Sequence, residues 1–197
     1  PEARGQMKQR IVRYAGTSLR LTGEQVIQDK LYPSEVEWRF PLPDQDNYAL
    51  QADDWRVTLR GIIDRVDVGD DGFALIDYKR GSKKISYTDI VYGTNLQLPL
   101  YLKIYRHLYP QATPQGFGYF TFKDCRSDNR QGISPVKADF TDLLKDAFYK
   151  QKSEESPDTL SAIADYSAAR ANKTMHYILS GDISARPTVI RAQQSPC

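Results

Sequence analysis

Two cysteines, two histidines, two methionines and two tryptophans are all that 197 residues hold of those types. Two cysteines, Cys125 and Cys197, do not make a disulfide framework, and Cys125, with no Cys or His near it, reads as an ordinary thiol. No apolar run reaches the length of a membrane span and no signal-peptide pattern opens the chain, so no membrane partner and a cytoplasmic origin are expected. The glycine pattern of a nucleotide phosphate loop is missing, which leaves an ATP site without support. Neither sign of charge dominates: 27 Lys and Arg against 25 Asp and Glu leave +2, a balance that neither demands nor excludes nucleic acid. With 40% hydrophobic and 26% charged residues, the chain suits a single soluble α/β domain with a sizeable core. Its opening at Pro1 and its close at Cys197 suggest a piece of a longer polypeptide.

The most informative stretch is Leu59 to Gly81. Two strand-like runs flank a turn at Gly69-Asp70-Asp71-Gly72, and strand residues two apart share a face. Ile62, Asp64, Val66 and Val68 then point one way, with Phe73, Leu75, Asp77 and Lys79 beside them. A loop at Asp70-Asp71 sets Asp64 opposite Asp77, whereas the more favoured loop at Asp71-Gly72 sets it opposite Lys79. Five of these eight residues are core formers. Two carboxylates among them, about 5–7 Å apart, repel by roughly 2–3 kcal/mol at an effective dielectric near 20, besides the desolvation of each. Lys79 can neutralise one, and a hard divalent cation with oxygen ligands would satisfy the rest. The bland alternative is a surface hairpin with its Asp and Lys in water. The opposite face (Ile63, Arg65, Asp67, Ala74, Ile76, Tyr78) is the more polar and the better candidate for solvent.

Along the rest of the chain, Met7, Ile11, Val12 and Ala15 predict an amphipathic helix, and Thr22 with Gln25 predicts a capping-box start to a second one that ends by Pro33. Glu35 to Phe40 alternates as a first strand, Pro41 to Asp54 reads as a loop, and Trp55 begins a long second strand reaching Val68, with a bulge at Gly61 where the apolar parity switches. Lys79-Arg80-Gly81-Ser82-Lys83-Lys84 is the densest basic run and suits contacts with phosphates. Thr94 or Asn95 caps a helix with Pro99 in its first turn, which stacks Gln97 and Tyr101 on one face and leaves Tyr105 as core. Gln115 to Lys123 predicts a buried strand, Asp124 to Ser134 a polar hairpin or loop, and helices follow near 139–148 and 160–171.

Gly61-Ile62-Ile63-Asp64-Arg65-Val66-Asp67, Ile76-Asp77-Tyr78-Lys79-Arg80-Gly81 and Gln97-Leu98-Pro99-Leu100-Tyr101, in that order and spacing, resemble the PD-(D/E)XK nucleases of the RecB-like branch, and among them the C-terminal nuclease domains of AddB-type helicase–nuclease subunits. The resemblance implies an α/β, restriction-endonuclease-like fold: a central mixed β-sheet flanked by helices, with strands near 35–40, 55–68, 73–80 and 115–123. It implies one nuclease domain over 1–197, with a helical segment over 1–32, a catalytic core over 33–124 and a helical region over 135–197.

Further expectations follow from the same resemblance. Asp64, Asp77 and the backbone carbonyl of Tyr78 would hold Mg²⁺ or Mn²⁺, Lys79 would orient the attacking water or neutralise the transition state, and Gln97 and Tyr101 would border the site. Arg80, Lys83 and Lys84 would meet DNA. An acidic residue near the first strand, Glu35 or Glu37, could assist. Ile178 to Pro187 leads toward Cys197, at the position of the first of three closely spaced cysteines that hold a 4Fe-4S cluster in the family. The others are absent from this chain, so a cluster is expected only in a longer parent. The family's upstream metal-binding His is also absent, and His107 and His176 stand elsewhere. The expected function is metal-dependent exonuclease activity on DNA within a helicase–nuclease of double-strand break repair, beside a partner subunit. The alternatives are a non-catalytic DNA-binding or scaffolding module with the same fold, and a related exonuclease of the CRISPR-adaptation type.

Overall fold

A computed structural model describes residues 2–81, 85, 87–122, 133–136, 159–182 and 184. Lys83, Lys84, Cys125, Cys197 and the helix expected near 139–148 lie outside the described residues. The chain opens on one helix, α1 (Glu2–Asp29), followed by β1 (Tyr32–Phe40), β2 (Ala49–Ala52), β3 (Trp55–Thr58), β4 (Gly61–Gly69) and β5 (Gly72–Lys79). Helices α2 (Tyr87–Tyr92) and α3 (Gln97–Leu108) lead to β6 (Pro114–Thr121) and β7 (Ile133–Val136), and α4 (Thr159–Leu179) is the last element among the described residues.

Five strands form a mixed sheet in the order β1-β4-β5-β6-β7, antiparallel except where β6 runs parallel to β5. That parallel pair needs a long crossover, which α2 and α3 supply. On one face Leu98, Leu102 and Tyr105 of α3 and Leu160, Ile163 and Ala164 of α4 close over Trp38, Phe40, Ile63, Val66, Phe73, Leu75, Phe117 and Tyr119. On the other, Leu21 of α1 joins Ile76 and Phe120. The sheet is thus covered on both sides, as expected of a restriction-endonuclease-like α/β fold.

Several sequence expectations are corrected. The two N-terminal helices are one, because nothing between Gly16 and Gly23 breaks the hydrogen-bonded run. The long second strand stops after Thr58 and restarts at Gly61; its first part pairs with β2, inside the expected loop, as a separate two-stranded sheet. Gly61 marks a close approach and not a bulge: it pairs with Phe40, whose ring lies 2.4 Å from where a Cβ would be. The turn uses Asp70-Asp71, since Gly69 pairs with Gly72. Gly72, at φ +139°, faces the Thr113 carbonyl 2.0 Å from a virtual Cβ, so only glycine fits there.

The face assigned to solvent is the largest correction. Ile63, Arg65, Asp67, Ala74 and Ile76 are buried, whereas Ile62 and Val68 of the supposed core face are exposed. Alternation fails at Asp64: Ile63 joins the α3-side cluster, while Arg65, two residues on, reaches α1. Glu37, across from Asp64, takes a left-handed φ of 50° in the gap between the Trp38–Ile63 and Val36–Arg65 pairs.

Candidate active site

β4 and β5 run side by side only as far as the Arg65–Ile76 pair. Beyond it β4 stays with β1 to the Gly61–Phe40 pair, and β5 stays with β6 to Lys79–Thr121. The two central strands therefore part, and Asp64 and Asp77 stand at the start of the fork. Asp64 spans it: its Oδ2 accepts the Tyr78 backbone N–H at 2.7 Å in place of a ladder bond.

Asp77 is 2% exposed. Its Oδ1 accepts from Gln97 Nε2 at 2.7 Å, and its Oδ2 pairs with the Lys79 ammonium at 2.5 Å. Lys79 Nζ also donates to Gln97 Oε1 at 3.2 Å, so one amide touches both ends of the ion pair. Gln97 Nε2 lies 3.3 Å from Tyr101 Oη, and the Tyr101 ring meets Phe40 edge-on at 5.4 Å. Gln97 is the first residue of α3 and Tyr101 lies one turn on, which is the i, i+4 stack expected from the sequence. Pro99 falls in the first turn as expected, but neither Thr94 nor Asn95 caps the helix: Thr94 bonds to Asp89, and Asn95 accepts from the Tyr119 hydroxyl at 2.8 Å.

Burial works to lower the Lys79 pKa, yet the hydrogen bond and charge of Asp77, with help from Tyr119 and Asp64, outweigh it and hold the group above its ordinary 10.5. Lys79 is therefore a fixed cation at neutral pH. Its Nζ lies 5.4 Å from the centre of the Tyr119 ring. Tyr119 is itself fully buried and paired with Asp77 across the parallel ladder. Burial pushes its hydroxyl up, the Asn95 bond opposes that, and the Asp77 charge adds to it.

Sequence reasoning missed Tyr119 and Asn95 as members of this group. A Gly- and aromatic-rich strand signals core, and only the parallel β5–β6 register sets Tyr119 beside Asp77. Of the other expected residues, Arg80 is exposed just past β5. Glu37 is exposed and pairs with Arg39 at 3.3 Å, and Glu35 is exposed on the edge strand. His107 and His176 meet Asp46 and Asp53 respectively.

Asp64, Asp77 and the Tyr78 carbonyl offer oxygen donors alone, a set that fits Mg²⁺ or Mn²⁺ and not a soft metal. Among the described residues no group of three or more His, Cys, Asp or Glu stands together. A hollow of about 370 Å³, lined by Phe73, Tyr105 and Tyr109, lies at the β4–β5 turn, the far end of these strands from the carboxylates. No helix among the described residues is long and apolar enough to cross a membrane.

A family model for the PD-(D/E)XK nuclease superfamily matches residues 2–190. Among curated proteins, the chain is 36% identical over 94 residues to an ATP-dependent helicase/deoxyribonuclease subunit of Clostridioides difficile (strain 630), covering 44% of this chain and 8% of that protein. It is 36% identical over 112 residues to the protein of the same name from Carboxydothermus hydrogenoformans, covering 51% and 10%. Against that of Natranaerobius thermophilus it is 25% identical over 177 residues, covering 67% and 15%. The chain thus spans a small part of the length of the relatives it matches.

Proposed function

This chain belongs to the PD-(D/E)XK nuclease superfamily, and we propose that it is a metal-dependent DNA nuclease domain of a helicase–nuclease that processes double-strand breaks. One observation carries the reading: Asp77, Lys79 and Gln97 are bonded to one another at the point where β4 and β5 part, with Asp64 across the fork. Asp64, Asp77 and the Tyr78 carbonyl would hold the ion. Mg²⁺ or Mn²⁺, when bound, polarises the scissile phosphate and lowers the pKa of its water.

The protein's own groups do the rest. Lys79, protonated throughout the neutral range, places a compact charge where the extra negative charge of the phosphoryl transition state develops, or orients the attacking water. Gln97 holds Asp77 and Lys79 at a set separation, and Tyr101 steadies Gln97. Arg80 sits at the exit of β5, where with Lys83 and Lys84 it would meet backbone phosphates. The whole chain serves as one nuclease domain in this reading, cytoplasmic, with DNA as substrate and a helicase–nuclease subunit as partner. A 4Fe-4S cluster using Cys197 belongs to a longer parent only. The names of the relatives support the helicase–nuclease setting.

The test is cleavage of linear DNA in Mg²⁺ or Mn²⁺ by the longer protein and its Asp77→Ala and Lys79→Ala variants. Both variants are expected to lose cleavage and keep a cooperative melt; equal cleavage by all three overturns the assignment. A second reading, a DNA-binding scaffold with the nuclease fold but not its chemistry, is favoured by the near-neutral balance of +2. Salt-sensitive DNA binding that is indifferent to a chelator, without cleavage, would select it.

A further inference from the structure

On the reverse side of the same fork lies a buried polar cluster that this mechanism does not use. Arg65 is 2% exposed and Asp67 1%. Arg65 Nη2 donates to Asp67 Oδ2 at 2.8 Å and to Gln25 Oε1 at 3.1 Å, while Nη1 reaches Thr22 Oγ1 at 3.4 Å and Tyr78 Oη at 3.1 Å. Thr22 and Gln25, the pair that reads as a capping box, are instead α1's grip on this guanidinium. The Tyr78 ring is further bounded by Phe120, edge-on at 5.5 Å, and by Phe122, stacked at 5.9 Å.

Consecutive residues of β4 thus hold the same residue of β5 from two sides. Asp64 takes the Tyr78 backbone N–H, and Arg65 takes the Tyr78 hydroxyl. Both bonds form just past the last ladder pair, where no sheet hydrogen bond ties the two strands together. Tyr78 stands between Asp77 and Lys79 in the chain, so the direction of its backbone sets where those side chains and its own carbonyl point.

We propose that Arg65 is a positioning residue for the metal-binding fork: held by α1 and Asp67, it anchors the Tyr78 hydroxyl and so fixes the spacing of Asp64, Asp77 and the Tyr78 carbonyl. This inference rests on the metal-site reading above. Outer-shell partners of this kind typically change metal affinity by about 10–100-fold when removed.

The experiment is calorimetric titration with Mn²⁺ of the wild-type chain, Tyr78→Phe and Asp77→Asn, each with a thermal melt. Tyr78→Phe keeps the ring and its packing and deletes only the hydroxyl that Arg65 holds. It is expected to weaken Mn²⁺ binding about tenfold while its melting temperature stays close to wild type, a split that a merely structural bond would not produce. Arg65→Lys, which keeps charge but not the forked geometry, should weaken binding in the same direction. Wild-type affinity in Tyr78→Phe, with binding lost in Asp77→Asn, overturns the positioning role and leaves the metal site standing. Unchanged binding in Asp77→Asn, or none in the wild type, overturns the metal site and the inference with it.

Discussion

Asp67 and Asp77 are buried carboxylates on neighbouring strands, and they lie on opposite faces of one sheet. Asp67 is bonded by the guanidinium of Arg65, whose own donors are spread over α1 and Tyr78. Burial still pushes the Asp67 pKa up, with Arg65 opposing it. Asp77 is held by a flexible ammonium and a neutral amide, at the mouth of a fork whose other edge carries a second carboxylate. The same problem, a buried negative charge, is closed off on one face by a rigid planar cation, and on the other is left in the company of groups that can exchange partners. A forked guanidinium locks geometry; a lysine on four methylenes can follow a reacting phosphate.

Given that contrast, the two carboxylates should fail in different assays. The largest effect is expected for Asp77→Ala, which should lower cleavage by the longer protein by about 10²–10³-fold, comparable to loss of a central electrostatic group. Initial rates on linear DNA in Mn²⁺ check it, with circular dichroism showing the fold retained. Asp67→Ala should act chiefly on stability, because it strands the Arg65 charge in the interior: about 3–5 kcal/mol. That corresponds to a fall in melting temperature of roughly 6–20 °C for a chain of this size. Should Asp67→Ala melt like the wild type, the α1 face is not locked in the manner described.

Replacing both members of the pair separates the terms. Arg65→Met with Asp67→Leu removes the unpaired charge as well as the pair, so its melting temperature should recover most of the loss seen in Asp67→Ala. Its Mn²⁺ affinity should stay reduced, since Tyr78 no longer has its anchor. Recovery of both would show that packing alone sets the fork.

The smallest effect concerns the core beside the site face. Burial, then the charges of Tyr109 and Glu35, raises the Tyr105 pKa to about 12. An acid whose folded pKa exceeds its unfolded value of 10 contributes stability that is full below pH 10 and is lost as the pH rises toward 12. Tyr105→Phe should therefore flatten the fall in melting temperature between those two pH values, with little change at neutral pH.

Much of the candidate site was legible because its signals are local. Asp64, Asp77 and Lys79 are anomalies in apolar, strand-like runs, and Gln97 and Tyr101 are one helical turn apart, so short-range periodicity brings each set to attention. The second face was misread for the same reason. Arg65 and Asp67 look like solvent residues by composition, and nothing within a few positions says that a helix some 40 residues upstream will cover them and supply Thr22 and Gln25. The strand break at Leu59–Arg60 and the single α1 were equally invisible, since propensity does not report which strand finds which neighbour.

By itself the chain's order of residues determined that two strand-like runs flank a turn between Gly69 and Gly72 and which chemical kinds of donor they carry, consequences of side-chain period and backbone sterics. Only the tertiary structure decided that β4 and β5 part after Arg65 and Ile76, that Tyr119 lies beside Asp77, and that α1 closes the reverse face. Those outcomes depend on long-range pairing, where the free energy of burying both faces of a sheet outweighs the local preference of polar residues for water.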